Sequence, residues 1–173
     1  MFATTAAILF FALRGDYAAQ EMGMGVAGVR GTCLMLGIGL ILGLGVSVAG
    51  ALTSAAGPVH RLSLAASWQY AIWAFVQQFI LQSFFFVRLE TVLGGRWAVL
   101  AAAVLFSAAH LPNLLLTAIT LPMALLFCQL FRSYRSIWPL GLVHAVLGLT
   151  MAGSFSDATL HHMRVGIGYF LIH

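Results

Sequence analysis

The chain has 173 residues, is 62% hydrophobic and only 7% charged, and has a mean hydropathy of +1.02. Soluble domains carry about a quarter charged residues, so a soluble globular fold is excluded. The formal charge of +4 comes from eight arginines, with no lysine, against four acidic residues. The arginines are scattered one or two per loop, which marks them as topology signals and sets aside nucleic acid as a partner.

The apolar runs are continuous, where a transmembrane β-barrel would show short alternating segments. They predict an all-α polytopic transmembrane helical bundle of about six spans, one integral-membrane domain over residues 1–173 whose partner is the lipid bilayer. Phe2 to Leu13 is apolar but short for a span. It reads as a tilted first helix or as part of a longer one, and it lacks the basic lead-in and cleavage site of a signal peptide. Arg14 to Gly31 reads as a loop. Its Gly23-Met24-Gly25-Val26-Ala27-Gly28 matches a dinucleotide fingerprint by letter only, because no strand or βαβ unit surrounds it.

Thr32 to Leu52 is the second predicted helix, with small residues at Gly37, Gly39, Gly43, Gly45 and Ala49 that would let another helix approach closely. A loop with Gly57-Pro58, His60 and Arg61 follows. Ser67 to Leu89 is the third helix, then a short loop to Arg96. Trp97 to His110 is the fourth, stopped by Pro112. Asn113 or Leu114 to Phe131 is the fifth, with a kink expected at Pro122. Ile137 to Gly153 is the sixth, with Pro139 in its first turn. Ser154 to His173 is a tail expected to lie at the membrane interface. Cys33 and Cys128 fall in apolar runs and read as small buried hydrophobes. With six spans, Arg14, Arg30, Arg88, Arg96, Arg132 and Arg135 share one face, which is then cytoplasmic, and Arg61 and Arg164 the other.

Polar side chains at mid-span are costly unless something requires them. On the third helix, Gln78 and Gln82 are one turn apart and can bond each other, and Gln77 widens the polar wedge to about 140°. Tyr70 lies two turns before Gln77 on the same stripe. His110 is four residues after Phe106, and His144 sits well inside the sixth helix. Interhelical hydrogen bonding alone would account for the glutamines, and a lone intramembrane histidine is more often packing than catalysis. No carboxylate lies inside a span: Asp16, Glu21, Glu90 and Asp157 are in loops or at ends.

The order and spacing of three stretches resemble the CPBP family of membrane proteins, which includes the type II CAAX prenyl proteases and bacteriocin-processing or immunity proteins. Phe106-Ser107-Ala108-Ala109-His110-Leu111-Pro112-Asn113 matches the family's FxxxH motif, and His144 after Trp138-Pro139-Leu140-Gly141-Leu142-Val143 matches its third motif. The first motif, EExxxR, is matched in position only, by Gln77-Gln78-x-x-x-Gln82. The resemblance covers about residues 67–150 and implies a CPBP-like core and a bacterial cytoplasmic (inner) membrane location. It also implies an intramembrane endopeptidase that uses His110 and His144, with Gln77, Gln78 and Gln82 at the positions of the family's glutamates and arginine.

A carboxamide cannot accept a proton as a carboxylate can, and Gly148 stands where the family often has an asparagine donor. Three roles remain open from the sequence. The first is a hydrolase of altered chemistry acting on a membrane peptide. The second is a catalytically inactive subunit or scaffold of a membrane complex, or a binder of a lipid or peptide. The third is a site for a pigment, tetrapyrrole or metal on His110, His144, His161 or His162. No cofactor or metal is expected. Asp157 is placed either to orient His161 or to cap a helix.

Overall fold

The computed structural model describes residues 6–8, 10, 11, 14, 15, 17–53 and 63–171. Asp16, the Gly57-Pro58 turn, His60 and Arg61 lie outside the described residues, as does much of the Phe2–Leu13 segment. The described residues are helical with no strand. Among the described residues, three helices are long and apolar enough to cross a membrane: α1 (Val29–Thr53), α2 (Leu64–Leu93) and α4 (Leu114–Tyr134). Two shorter apolar helices, α3 (Gly95–Ala108) and α5 (Trp138–Ser154), lie among the same described residues.

Helix α1 packs along α5 through one small-residue face. An ideal Cβ at Gly39 would lie 2.7 Å from Val143, and one at Gly50 only 2.6 Å from the Ser154 carbonyl. Only bare backbone fits at these crossings, the close approach expected of small residues in a bilayer. Gly37 and Gly45 face open space instead. Cys128 is buried, but Cys33 is exposed on the outer side of α1, which corrects the reading of both as buried.

Helix α2 starts at a serine cap, where the Ser63 side chain accepts from the Ala66 amide. It continues to Leu93, four residues beyond the expected end. Gly94, at φ +76°, is the first residue to leave the helix, and α3 begins at Gly95. The Glu90 carboxylate near the end of α2 pairs with Arg135 in the α4–α5 turn. Between Phe79 and Phe86 the helix widens to π register, directly after Gln78. Such π segments disturb the facing of side chains and are frequent at functional sites.

The loop before α1 is a clasp on the bundle. The Ser83 hydroxyl donates to the Met22 carbonyl (2.6 Å), the Ser136 hydroxyl to Gly25 (2.8 Å) and the Trp138 indole N–H to Met24 (3.0 Å). The glycine-rich run that spells a dinucleotide motif thus serves as a row of acceptors tying α2 to the start of α5.

Helix α4 runs unbroken through Pro122 and is capped by Asn113, whose side chain accepts from the Leu116 amide. After α5, a four-residue helix α6 (Asp157–Leu160) opens at Ser156, whose hydroxyl accepts from Thr159 N–H. Ser156, and not Asp157, is therefore the cap. Three successive residues, His161, His162 and Met163, then take left-handed φ values of 48°, 51° and 53°. This turn sends the tail back across the α3–α4 junction.

Candidate functional site

A cavity of about 340 Å³ lies between α2, the α3–α4 turn, α4, α5 and the tail. Among its lining residues are Tyr70, Gln77, His110, Thr120 and His144. Three of the five residues singled out from the sequence therefore meet on one wall system. Gln78 and Gln82 do not line it: both are fully buried behind it.

His110 is placed by the end of α3. That helix stops at Ala108, two residues earlier than expected, so His110 sits in the following turn, its amide bonded to the Ser107 carbonyl (2.9 Å). Its Nδ1 is 2.9 Å from the Phe106 carbonyl. A carbonyl only accepts, so Nδ1 carries the hydrogen and Nε2 is the basic nitrogen. The Phe106 ring packs against both imidazoles, 5.1 Å from His110 and 6.4 Å from His144 between centroids. The FxxxH spacing thus serves two functions: the phenylalanine backbone fixes the tautomer of one histidine and its ring spaces that histidine from the other.

His144 projects from α5. Gln78 Nε2 lies 3.0 Å from its Nδ1, and Gln82 Nε2 donates to Gln78 Oε1 at 3.4 Å. With the amides assigned this way, donation runs from Gln82 through Gln78 to His144, and the neutral imidazole keeps its hydrogen on Nε2. The two histidines are then complementary, with a lone pair on His110 Nε2 and a donor on His144 Nε2. Gln82 Oε1 is buried with no hydrogen-bond partner among the described residues. Such an orphan costs about 1–3 kcal/mol.

Gly148 also lines the cavity, and Tyr70 covers it. An ideal Cβ at residue 148 would fall 1.8 Å from Tyr70 Oη and 2.3 Å from Cζ. The phenol occupies the volume in which any longer side chain at 148 would begin. Sequence reasoning saw Tyr70 on the glutamine stripe and Gly148 as an absence, but not that one fills the other. A smaller apolar annexe of about 80 Å³ adjoins His144 and Gly148, bordered by Ile119, Met123, Phe127 and Met151.

This arrangement, two histidines on consecutive motifs facing a chamber backed by the first-motif helix, agrees with a family match. The family model for type II CAAX prenyl endopeptidases (Rce1-like) matches residues 61–150, more than half of the chain. The chain belongs to this family. It is thereby a member of a membrane protease family, and its fold is that of an all-helical integral membrane protein. No curated protein matches the chain, and no solved structure does. The matched segment runs from just before α2 to Thr150, near the end of α5, and contains Gln77, His110 and His144. It stops short of the tail that closes the cavity.

The tail also corrects one expectation. Asp157 pairs with His162, Nδ1 to Oδ2 at 3.2 Å, and not with His161. His161 instead stacks on Tyr169, with centroids 4.7 Å apart. Among the described residues, no three His, Cys, Asp or Glu side chains converge as metal ligands.

Proposed function

We propose that this protein is an intramembrane endopeptidase acting on a membrane-borne peptide, with His110 as the base. The observation that carries this reading is the contact of His110 Nδ1 with the Phe106 carbonyl. The Phe106 carbonyl holds Nδ1–H, so Nε2 is left as a proton acceptor on a residue that lines the cavity. His110 Nε2 takes a proton from water while the oxygen attacks the scissile carbonyl carbon. Gln77 and the Nε2–H of His144 donate to the oxyanion that develops, a role in which one well-placed donor is worth about 10²–10³ in rate. Gln78 and Gln82 do not touch substrate; they orient His144 from behind. This division of labour fits the absence of motif carboxylates, since a carboxamide can donate and orient but cannot accept a proton.

The apolar annexe beside His144 offers a place for a hydrocarbon group flanking the scissile bond. The enzyme is expected in the bacterial cytoplasmic membrane, with no cofactor. Its activity is tested on purified protein in lipid vesicles with a panel of membrane peptides, including a farnesylated CAAX peptide. His110→Ala should lower cleavage by about 10²-fold or more, the usual contribution of a general base. Cleavage by His110→Ala at the parent rate would refute the reading.

A second reading, a catalytically silent subunit or binding scaffold of a membrane complex, is favoured by the buried Gln82–Gln78–His144 chain, whose two hydrogen bonds form without substrate. The triple variant Gln77→Glu, Gln78→Glu, Gln82→Arg separates the two. Cleavage that appears only in that variant selects the scaffold, as does a stoichiometric partner found by native mass spectrometry of an inactive parent.

A further inference from the structure

Helices α2 to α5 bring no carboxylate to the cavity, yet the cavity has one. Asp157 and His162, both from the tail beyond the matched segment, are among its lining residues. Their side chains pair at 3.2 Å and are 37% and 46% exposed, so the pair is accessible rather than sealed in packing. His162 reaches this position through the left-handed turn at residues 161–163, a conformation disfavoured for residues with a Cβ and held only where surrounding structure enforces it.

The enforcing contacts are specific, and they come from the turn that carries His110. The Asn113 side-chain amide donates to the carbonyls of Leu160 (3.0 Å) and Arg164 (3.2 Å), one on each side of the left-handed turn. Gly166 N–H donates to the Leu111 carbonyl (2.8 Å). Leu160 is buried at 2% exposure and anchors the short helix that holds Asp157. The tail dyad and His110 are therefore positioned by one rigid junction, three residues from His110 to Asn113.

We propose that Asp157 and His162 are the acid half of the catalytic cavity, a proton carrier supplied by the tail in place of the absent glutamates. The proposal deepens the endopeptidase reading above and rests on it. Asp157 accepts the Nδ1 hydrogen of His162, which leaves Nε2 to take up and release a proton. His110 removes one proton from water as the hydroxide adds to the carbonyl carbon. His162 enters the cycle with a hydrogen on both ring nitrogens, Nδ1–H on the Asp157 carboxylate; when the tetrahedral intermediate collapses and the C–N bond breaks, its Nε2–H goes to the leaving nitrogen and His162 is left neutral. The proton held on His110 then returns to His162, and one water and one peptide have become a carboxylic acid and an amine. Asp157 acts through His162 and is a positioning residue; His162 is the group that meets the substrate.

The test uses the full chain in lipid vesicles and the same farnesylated peptide panel. Asp157→Asn and His162→Gln should each reduce kcat by about 10²-fold with KM within a few-fold, the size of a general-acid contribution. Asp157→Glu should recover most of the loss. His162→Gly should be rescued by added imidazole, a result that a packing role would not produce. His161→Ala, whose ring stacks on Tyr169 outside the cavity, should keep the parent rate. Thermal midpoints of all variants separate misfolding from lost chemistry. An active parent whose Asp157→Asn and His162→Gln variants remain active, or a His162→Gly variant that imidazole fails to restore, overturns the dyad and leaves His110 standing. A parent inactive on the whole panel overturns the endopeptidase reading and the dyad with it.

Discussion

Replacing Gly148 by alanine puts a methyl group where the Tyr70 phenol already lies. The ideal Cβ would sit 1.8 Å from Oη, 2.3 Å from Cζ and 2.5 Å from Cε1. Those separations are far inside van der Waals contact, so the ring must move. Tyr70 belongs to the first turns of α2 and Gly148 to α5, two helices packed against each other, so the ring has little room to swing without shifting backbone. Overpacking of this kind costs about 1–3 kcal/mol. For a chain of this size each kcal/mol moves the midpoint by about 2–4 °C, so Gly148→Ala should lower it by about 2–12 °C.

The assay is thermal unfolding in a fixed detergent, followed by tryptophan fluorescence. Tyr70→Ala removes the obstructing atoms, and the double variant should recover part of the Gly148→Ala loss. The double-mutant cycle should report a coupling of about 0.5–3 kcal/mol. Tyr70→Phe should recover much less, because Cζ remains in place at 2.3 Å. A Gly148→Ala variant as stable as the parent, or a cycle with no coupling, would refute the claim that this phenol fills the residue-148 hollow. The same measurement bears on the motif, since asparagine at 148 is open to this chain only if Tyr70 is removed as well.

Other consequences follow from the buried hydrogen bonds. Gln78→Leu leaves His144 Nδ1 without its donor and Gln82 Nε2 without its acceptor; at about 1–3 kcal/mol for each stranded group, unfolding in detergent should occur several degrees lower, whereas an unchanged midpoint would mean that the chain carries no orienting role. Asn113→Ala removes the cap of α4 and both ties to the tail. The lost cap alone costs about 1 kcal/mol. Limited proteolysis should then cut between residues 160 and 166 at a protease concentration that spares the parent, and equal resistance would contradict the clamp.

What could be read from composition and spacing was the class, the position of the helices and the identity of three polar stretches. Those features depend on local rules: apolar run length decides a span, and a cap or a glycine decides its end. The helix boundaries of α1 and α5 fall within a few residues of expectation for that reason. Periodicity also shows that Gln77 and Gln78 point in different directions. It does not show which one faces a cavity, because that depends on the neighbours of α2, and the structure selects Gln77.

The remaining features are long-range. The π segment after Gln78 has no sequence signature beside an apolar run. The tautomer of His110 depends on a turn that leaves α3 at Ala108. Tyr70 and Gly148 are 78 positions apart and meet only because α2 and α5 pack side by side. The same is true of Asp157 and the cavity. In the sequence it is a loop carboxylate, as expected where a charge is too costly for a span. The short helix α6, tied through Leu160 to Asn113, sets it on the wall of the cavity that His110 and His144 also line. Sequence alone determined that this is a helical membrane protein with two histidines in stretches that resemble the family's motifs. Tertiary structure decided which groups share a chamber, because chain reversal and helix packing, and not local propensity, set distances between residues far apart in the chain.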